Sequence, residues 1–256
     1  MKNPKILVLV VAYNAASTIE RLLERFPRKT MEYVDEVLIA DDASMDKTSE
    51  IARAYAHKHK LSKVRVMKHQ HNKGYGGNQK WGYQYAIEEG YDIVVMVHGD
   101  AQYPPEYILP LIDPIVDGKK DFMFGSRMAG HPLRGGMPVY KFFGNIFLTV
   151  TENIFLGTRL TEFHSGFRAY RISTLKEMPL EEASDGFHFD SEIIFMLVGA
   201  KKRIGEIAIP TFYGDEKCNV NVVNYGLNVL KELMKFTLHR LGLRVYAKYS
   251  LKASGR

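Results

Sequence analysis

The sequence predicts an α/β protein, with a mostly parallel central sheet flanked by helices and a C-terminal amphipathic helical tail. Two observations carry this. Short apolar runs rich in β-branched residues alternate with helix-length segments, the pattern of strands buried on both faces and joined by helical crossovers. Each run also ends abruptly in polar residues, at the place where such sheets open onto a ligand crevice.

Residues 6–12 (ILVLVVA) form the first expected strand. Ser17-Thr18-Ile19-Glu20 has a capping-box pattern and opens a helix to about Phe26. The second strand is expected over 34–40, followed by a helix over 48–59 that Asp46 or Ser44 can cap. A third strand over 64–67 precedes a helix over 78–89, which stops at Gly90. Strands over 93–97 and 121–125 complete the series. Residues 137–157 are apolar and aromatic beyond what a solvated helix needs, which suits a core helix, a dimer helix or a lipid-facing one. Leu227, Leu230, Leu233 or Met234, Leu238 and Leu241 then recur at helical spacing among Lys231, Lys235, Arg240 and Arg244.

At 256 residues, 46% hydrophobic and 25% charged, the chain suits one large globular unit, here placed over 1–218, with the tail over 219–256. The net charge of +6 resides wholly in that tail, where seven Lys or Arg after Leu227 face Glu232 alone. Such a helix reads either as a solvated terminal helix or as a membrane-seeking one, at about 1 kcal/mol per basic residue near an anionic surface. Nucleic acid is disfavoured, because the basic residues alternate with aliphatics and not with stacking aromatics. Cys218 is the single cysteine, which excludes a disulfide framework and fits a reducing cytoplasm. The run after Lys5 is too short for a secretory signal, and no stretch approaches the roughly 20 apolar residues of a membrane span.

Five strand ends therefore point polar groups at one crevice: Ala12-Tyr13-Asn14, Asp41-Asp42, Asn72-Lys73-Gly74-Tyr75-Gly76-Gly77, His98-Gly99-Asp100-Ala101-Gln102, and Ser126-Arg127. The first contains no glycine, which argues against a dinucleotide fingerprint. The third lacks the Lys-Ser/Thr ending of a P-loop and reads equally as a flexible turn. Asp41 and Asp42 could cap a turn, or accept hydrogen bonds from a nucleobase imide and ribose hydroxyls. Asp100 could close a turn or, as a hard oxygen donor, hold a divalent cation.

Taken in order, these segments resemble the inverting glycosyltransferases of family two, with the GT-A fold, and within them the polyprenyl-phosphate (dolichol-phosphate) mannose or glucose synthases. The resemblance spans roughly residues 5–215 and rests on VVAYNAASTI, ADDASMDKT, NKGYGGNQKWG, HGDAQYPPE, FGSRM, LTEFHSGFRAYR and GFHFDSEII. The sequence departs from it where the first metal-motif aspartate is His98 and the opening glutamate is Ala15; the later diphosphate-binding arginine and lysine have no clear match over 213–221.

The resemblance implies a UDP- or GDP-sugar donor held by Ala12, Tyr13, Asn14, Asp41, Asp42, Lys73, Gly74 and Gly77, with Mn²⁺ or Mg²⁺ on Asp100 and Gln102. His98 is either a third ligand, favouring Mn²⁺, or a satisfied turn histidine. It implies a polyprenyl phosphate acceptor held by Arg127, Lys141 and Arg168, whose cations match phosphate oxygens. If the acceptor were instead a saccharide hydroxyl, Asp190 or Glu192 would be needed as general base. Expected partners are the nucleotide sugar, the lipid acceptor, a membrane surface through the tail at the cytoplasmic face, and a second copy or a membrane-anchored protein. The alternatives are a glycosyltransferase with a hydroxyl acceptor and an inactive nucleotide-sugar or membrane-binding module.

Overall fold

The computed structural model describes residues 3–211, 213 and 221–250. A seven-stranded sheet runs in the order β3-β2-β1-β4-β6-β5-β7. Its strands are β1 (Ile6–Ala12), β2 (Glu36–Asp41), β3 (Val64–Lys68), β4 (Ile93–His98), β5 (Phe122–Ser126), β6 (Arg168–Arg171) and β7 (Ile204–Ala208). The helices are α1 (Ile19–Glu24), α2 (Arg28–Tyr33), α3 (Thr48–Lys58), α4 (Tyr75–Glu88), α5 (Ile108–Val116), α6 (Val139–Leu156), α7 (Ile172–Leu175), α8 (Phe189–Gly199) and α9 (Val222–Arg240).

Strand alternation divides the interior into two layers. Ile6, Val8 and Val10 of β1 face α1, α3 and α5, while Leu7, Leu9 and Val11 face α4, α8 and α9. All seven β1 side chains are buried, and each large one contributes about 1.5–3 kcal/mol by leaving water. A strand apolar on both faces leaves register to its neighbours. The pairs Ala12↔Asp41 and Val11↔His98 bring the ends of β1, β2 and β4 level, which builds the crevice rim.

The five expected strands are present. β6 is an addition, antiparallel to both β4 and β5. Its sequence, RAYR, has no apolar run to reveal it. β7, half-exposed and interrupted by Gly205, was equally silent. The expected capping box is not formed: Thr18 Oγ1 donates to the carbonyls of Ala15 (3.2 Å) and Gly99 (2.8 Å), tying α1 to the end of β4. Asp46 does cap α3, its Oδ1 accepting from the Thr48 amide at 3.0 Å.

α4 starts at Tyr75, inside the glycine-rich stretch, so that stretch is not a flexible turn. A Cβ at Gly76 would collide with the Ser184 carbonyl and Phe189, so glycine here permits the 184–189 segment to lie against the helix. Gly74, at φ +78°, makes the entry turn.

The tail packs onto the body. α9 lies against α6 and α8 and buries Val229, Leu233 and Phe236. Beyond it, Lys248 in the turn Ala247–Tyr249 is buried between the carboxylates of Glu192 and Glu232, and Lys235 also pairs with Glu232 at 2.6 Å. Two of the seven tail cations are thus neutralised within the fold. The boundary at 218/219, Cys218, Lys252 and Arg256 lie outside the described residues. No helix of the described residues is long and apolar enough to cross a membrane.

Candidate active site

The carboxyl ends of β1, β2, β4 and β5 open into one crevice of about 1430 Å³, larger than a typical small-molecule pocket of about 300–1,000 Å³. Ala12, Tyr13, Asn14, Asp42, Gly74, His98, Asp100, Gln102, Arg127, Lys141 and Asp190 all line it. Asn14, which lines it, and Ala43 and Ala101, each next to a residue that lines it, adopt left-handed backbone conformations with φ of 50°, 58° and 60°. Strain of this kind is concentrated at functional sites.

On the β1–β2 side, the two aspartates divide. Asp41 is fully buried, its Oδ1 accepting from the Ser44 amide at 2.9 Å and its Oδ2 from Ser49 Oγ. Each of its oxygens accepts a hydrogen bond that shapes the turn, and in this structure Asp41 does not line the crevice, where a donor contact was expected. Asp42 lines the crevice and accepts from the Lys73 amide at 2.7 Å. Burial raises its carboxyl above the ordinary range, against the pull of the Lys73 and Gly74 amides and of His69. Lys73 and Gly77 do not line the crevice. The Lys73 amide holds Asp42, and Gly77 packs against Asp185.

Across the floor, Asp190 Oδ2 accepts from Tyr75 Oη at 2.8 Å and Oδ1 from Gln79 at 3.1 Å, with the Arg168 guanidinium 3.7 Å away. Its oxygens are engaged, which argues against Asp190 as a proton acceptor. Glu192, the other candidate base, lies outside the crevice with Lys248 and the Ser184 amide. Arg168 is fully buried, donating to the carbonyls of Phe163, Ser165 and Asp190. It cannot meet an acceptor in this structure, correcting that expectation; it braces Asp190 from below.

Tyr75 also fixes His98. Because its hydroxyl hydrogen goes to Asp190, its oxygen accepts from His98 Nε2 at 2.8 Å, so Nε2 carries the proton. Burial holds the imidazole below its ordinary range, so Nδ1 is bare, 3.9 Å from Asp100 Oδ2. Asp100 Oδ1 accepts from the Gln102 amide at 3.0 Å, leaving Oδ2 facing the crevice. A carboxylate oxygen, a neutral imidazole nitrogen and a nearby side-chain amide form a donor set that fits a divalent cation, with the nitrogen favouring Mn²⁺ over Mg²⁺. Gly166 is required here, since a Cβ on it would occupy the His98 ring.

On the opposite wall, Arg127 forks onto buried Glu162 and donates to Tyr213 Oη (3.2 Å) and the His164 carbonyl (3.1 Å). Asn145 of α6 also donates to Glu162, at 2.9 Å. This charge pair holds Glu162 below the ordinary carboxylate range despite burial. Lys141 Nζ stands 5.7 Å from the Tyr213 ring centroid. Tyr75, Tyr103, Asn145, Glu162 and Tyr213 were not singled out from sequence; Glu162 had a signal, as a carboxylate in the quoted LTEFHSGFRAYR segment, but its partner sits 35 residues away.

Residues 7–178 match the family described as Glycosyl transferase family 2. The chain is 30% identical over 223 residues to a UDP-N-acetylglucosamine--dolichyl-phosphate N-acetylglucosaminyltransferase of Methanococcus voltae, covering 83% of this chain and 88% of that protein. It is 29% identical over 252 residues to an undecaprenyl-phosphate mannosyltransferase of Micrococcus luteus, covering 93% and 100%. Among solved structures, glucosyl-3-phosphoglycerate synthase of Mycobacterium tuberculosis superposes with a TM-score of 0.69 at 18% identity, over 91% of this chain and 81% of that one. The same synthase in complex with Mn²⁺, UDP and glucosyl-3-phosphoglycerate gives 0.68 at 17%, over 94% and 81%. These structures share the GT-A fold with the seven-stranded sheet described above, and with the family match over 7–178 the chain belongs to glycosyl transferase family 2.

Proposed function

We propose that this glycosyltransferase moves a hexose from a UDP- or GDP-sugar to a polyprenyl phosphate, with inversion, at the cytoplasmic face of the membrane. One observation carries the reading: carboxylates Asp42 and Asp100 stand on one side of a single crevice, cations Arg127 and Lys141 on the other, and the cationic end continues into an apolar groove between α6 and α9. Phe147 and Leu148 of α6 and Val222, Val223, Leu227 and Leu230 of α9 line that groove. Outside it, Val139, Phe143, Val150 and Ile154 extend an exposed apolar face along α6. The named activities of the Methanococcus and Micrococcus relatives, both on polyprenyl-type phosphates, support the same acceptor class.

In this reading Ala12, Tyr13, Asn14 and Asp42 receive the nucleoside. Asp100, Gln102 and His98 Nδ1 hold a divalent cation, which when bound supplies charge neutralisation to the departing diphosphate. An acceptor phosphate oxygen attacks the anomeric carbon as the bond to the diphosphate oxygen breaks. The acceptor is already an anion and needs no base, consistent with the engaged oxygens of Asp190. Arg127 and Lys141 set its approach, and Asp190 acts through Tyr75 as a positioning residue.

The test is transfer of labelled UDP- and GDP-hexoses to a short polyprenyl phosphate with Mn²⁺ or Mg²⁺, counting label in the organic phase. Asp100→Ala is expected to abolish transfer and leave the melting temperature unchanged. Retained transfer would remove Asp100 from the mechanism, and label on a saccharide acceptor instead would replace the proposed acceptor.

A further inference from the structure

The inward face of α6 is polar for three turns: Asn145, Thr149 and Glu152. Asn145 is accounted for by Glu162, and Thr149 donates to Asn145 at 3.1 Å. Glu152 is not accounted for. It is fully buried, and neither of its carboxylate oxygens has a hydrogen-bond partner among the described residues. Its contact is an ion-pair approach of 3.1 Å to Nε2 of His164, itself nearly buried. Burying a carboxylate with this single contact is unfavourable, and a leucine at this position would avoid it.

The other ring nitrogen leads out to the crevice. His164 Nδ1 lies 2.9 Å from Tyr225 Oη on α9, the rings meeting edge to face. His164 and Tyr225 both line the crevice, on the wall that carries Arg127 and Lys141. Burial keeps the Tyr225 phenol well above its ordinary range, so it is a hydroxyl and able to donate.

We propose that Tyr225 donates a hydrogen bond to the acceptor's phosphate, and that the buried Glu152–His164 pair makes it a donor. This rests on the acceptor class proposed above. A phosphate oxygen at Tyr225 draws the hydroxyl hydrogen into the crevice, and the Tyr225 oxygen then accepts from Nδ1. Nε2 lies against the Glu152 carboxyl, so the His164–Glu152 pair between them holds the proton that leaves Nδ1–H free to donate. Glu152 is the partner on Nε2 that keeps Nδ1 a donor. The other charges near His164, Arg127 and Glu162, are paired with each other, and Asp190, on the Tyr225 side, is engaged by Tyr75, Gln79 and Arg168. A neutral hydroxyl acceptor does not impose this polarity, so the relay favours a phosphate head group.

Calorimetric titration with farnesyl phosphate, and with farnesol as the phosphate-free control, tests this without turnover. Tyr225→Phe and Glu152→Gln are each expected to weaken farnesyl phosphate about tenfold or more. Farnesol binding and UDP affinity should be unchanged and the melting temperature should not fall, which a merely structural role for Glu152 would not allow. If the wild-type protein binds farnesyl phosphate and both variants bind it equally well, the inference is overturned. Weakening by Tyr225→Phe alone overturns the relay. If the wild-type protein binds UDP but not farnesyl phosphate, the acceptor assignment itself has failed and this inference with it.

Discussion

Asp41 and Asp42 are adjacent at the end of one strand and so project to opposite sides of the sheet. The first completes a turn; the second faces a ligand crevice with its carboxyl raised by burial. The sign of the resulting pH effect follows directly. An acid whose pKa is raised takes up its proton at a higher pH than an exposed aspartate, and once protonated it loses its charge and one acceptor. UDP or GDP affinity is therefore expected to fall on acidification before the ordinary aspartate range near 4 is reached. Calorimetry at a series of pH values checks this, with Asp42→Asn expected to bind more weakly and lose that pH dependence. The same pair shows what sequence could and could not reveal about single residues. Asp42, Asp100 and Arg127 were legible as crevice-lining residues because they follow apolar strands at the carboxyl edge of the sheet. Asp41 and Arg168 misled because residue type does not disclose who fills the acceptors or donors: two serines for the aspartate, three carbonyls for the arginine.

Elements were legible in proportion to their apolar length. β1, β2 and β4 are continuous buried runs; β6 is four residues with arginine at both ends, and its place depends on β4 and β5 together. The glycine-rich stretch misled for a different reason. Its glycines serve a close approach by residues 184–189, which lie more than a hundred positions away and leave no local trace. The C-terminal segment is a comparable case, since basic side chains that read as solvent-facing include Lys248, buried between Glu192 of α8 and Glu232 of α9. Lys248→Met leaves both carboxylates without that cation and is expected to cost about 3 kcal/mol, read as a lowered melting temperature. Adding Glu232→Gln should recover part of the loss; a melting temperature that Lys248→Met leaves unchanged would show the clamp to be idle.

For the molecule as a whole, the exposed apolar face of α6 and the groove between α6 and α9 lie on the same side as the Arg127 and Lys141 end of the crevice. Phe143 is 63% exposed and Ile154 71%, positions at which large apolar side chains on a solvated helix gain nothing. Phe143→Asp with Ile154→Asp is expected to reduce co-sedimentation with vesicles containing anionic lipid about tenfold or more while leaving UDP affinity unchanged. Equal sedimentation of this variant and the parent protein would move the membrane contact elsewhere.

The reversed strand β6 also has a consequence for how the chain reaches its fold. β5 is hydrogen-bonded to β6 and β7, both of which follow it in the sequence. As the chain emerges from the ribosome, Phe122, Met123 and Phe124 therefore have no sheet partner until residues 168–171 have been made and inserted beside β4. Over that interval β1 to β4 can already zip together, but the growing sheet ends at an unpaired edge with an apolar strand waiting nearby, a transient liable to self-association. Conditions that slow synthesis between α6 and β6 should prolong that exposure, and the step that ends it closes the longest interval between consecutive strands.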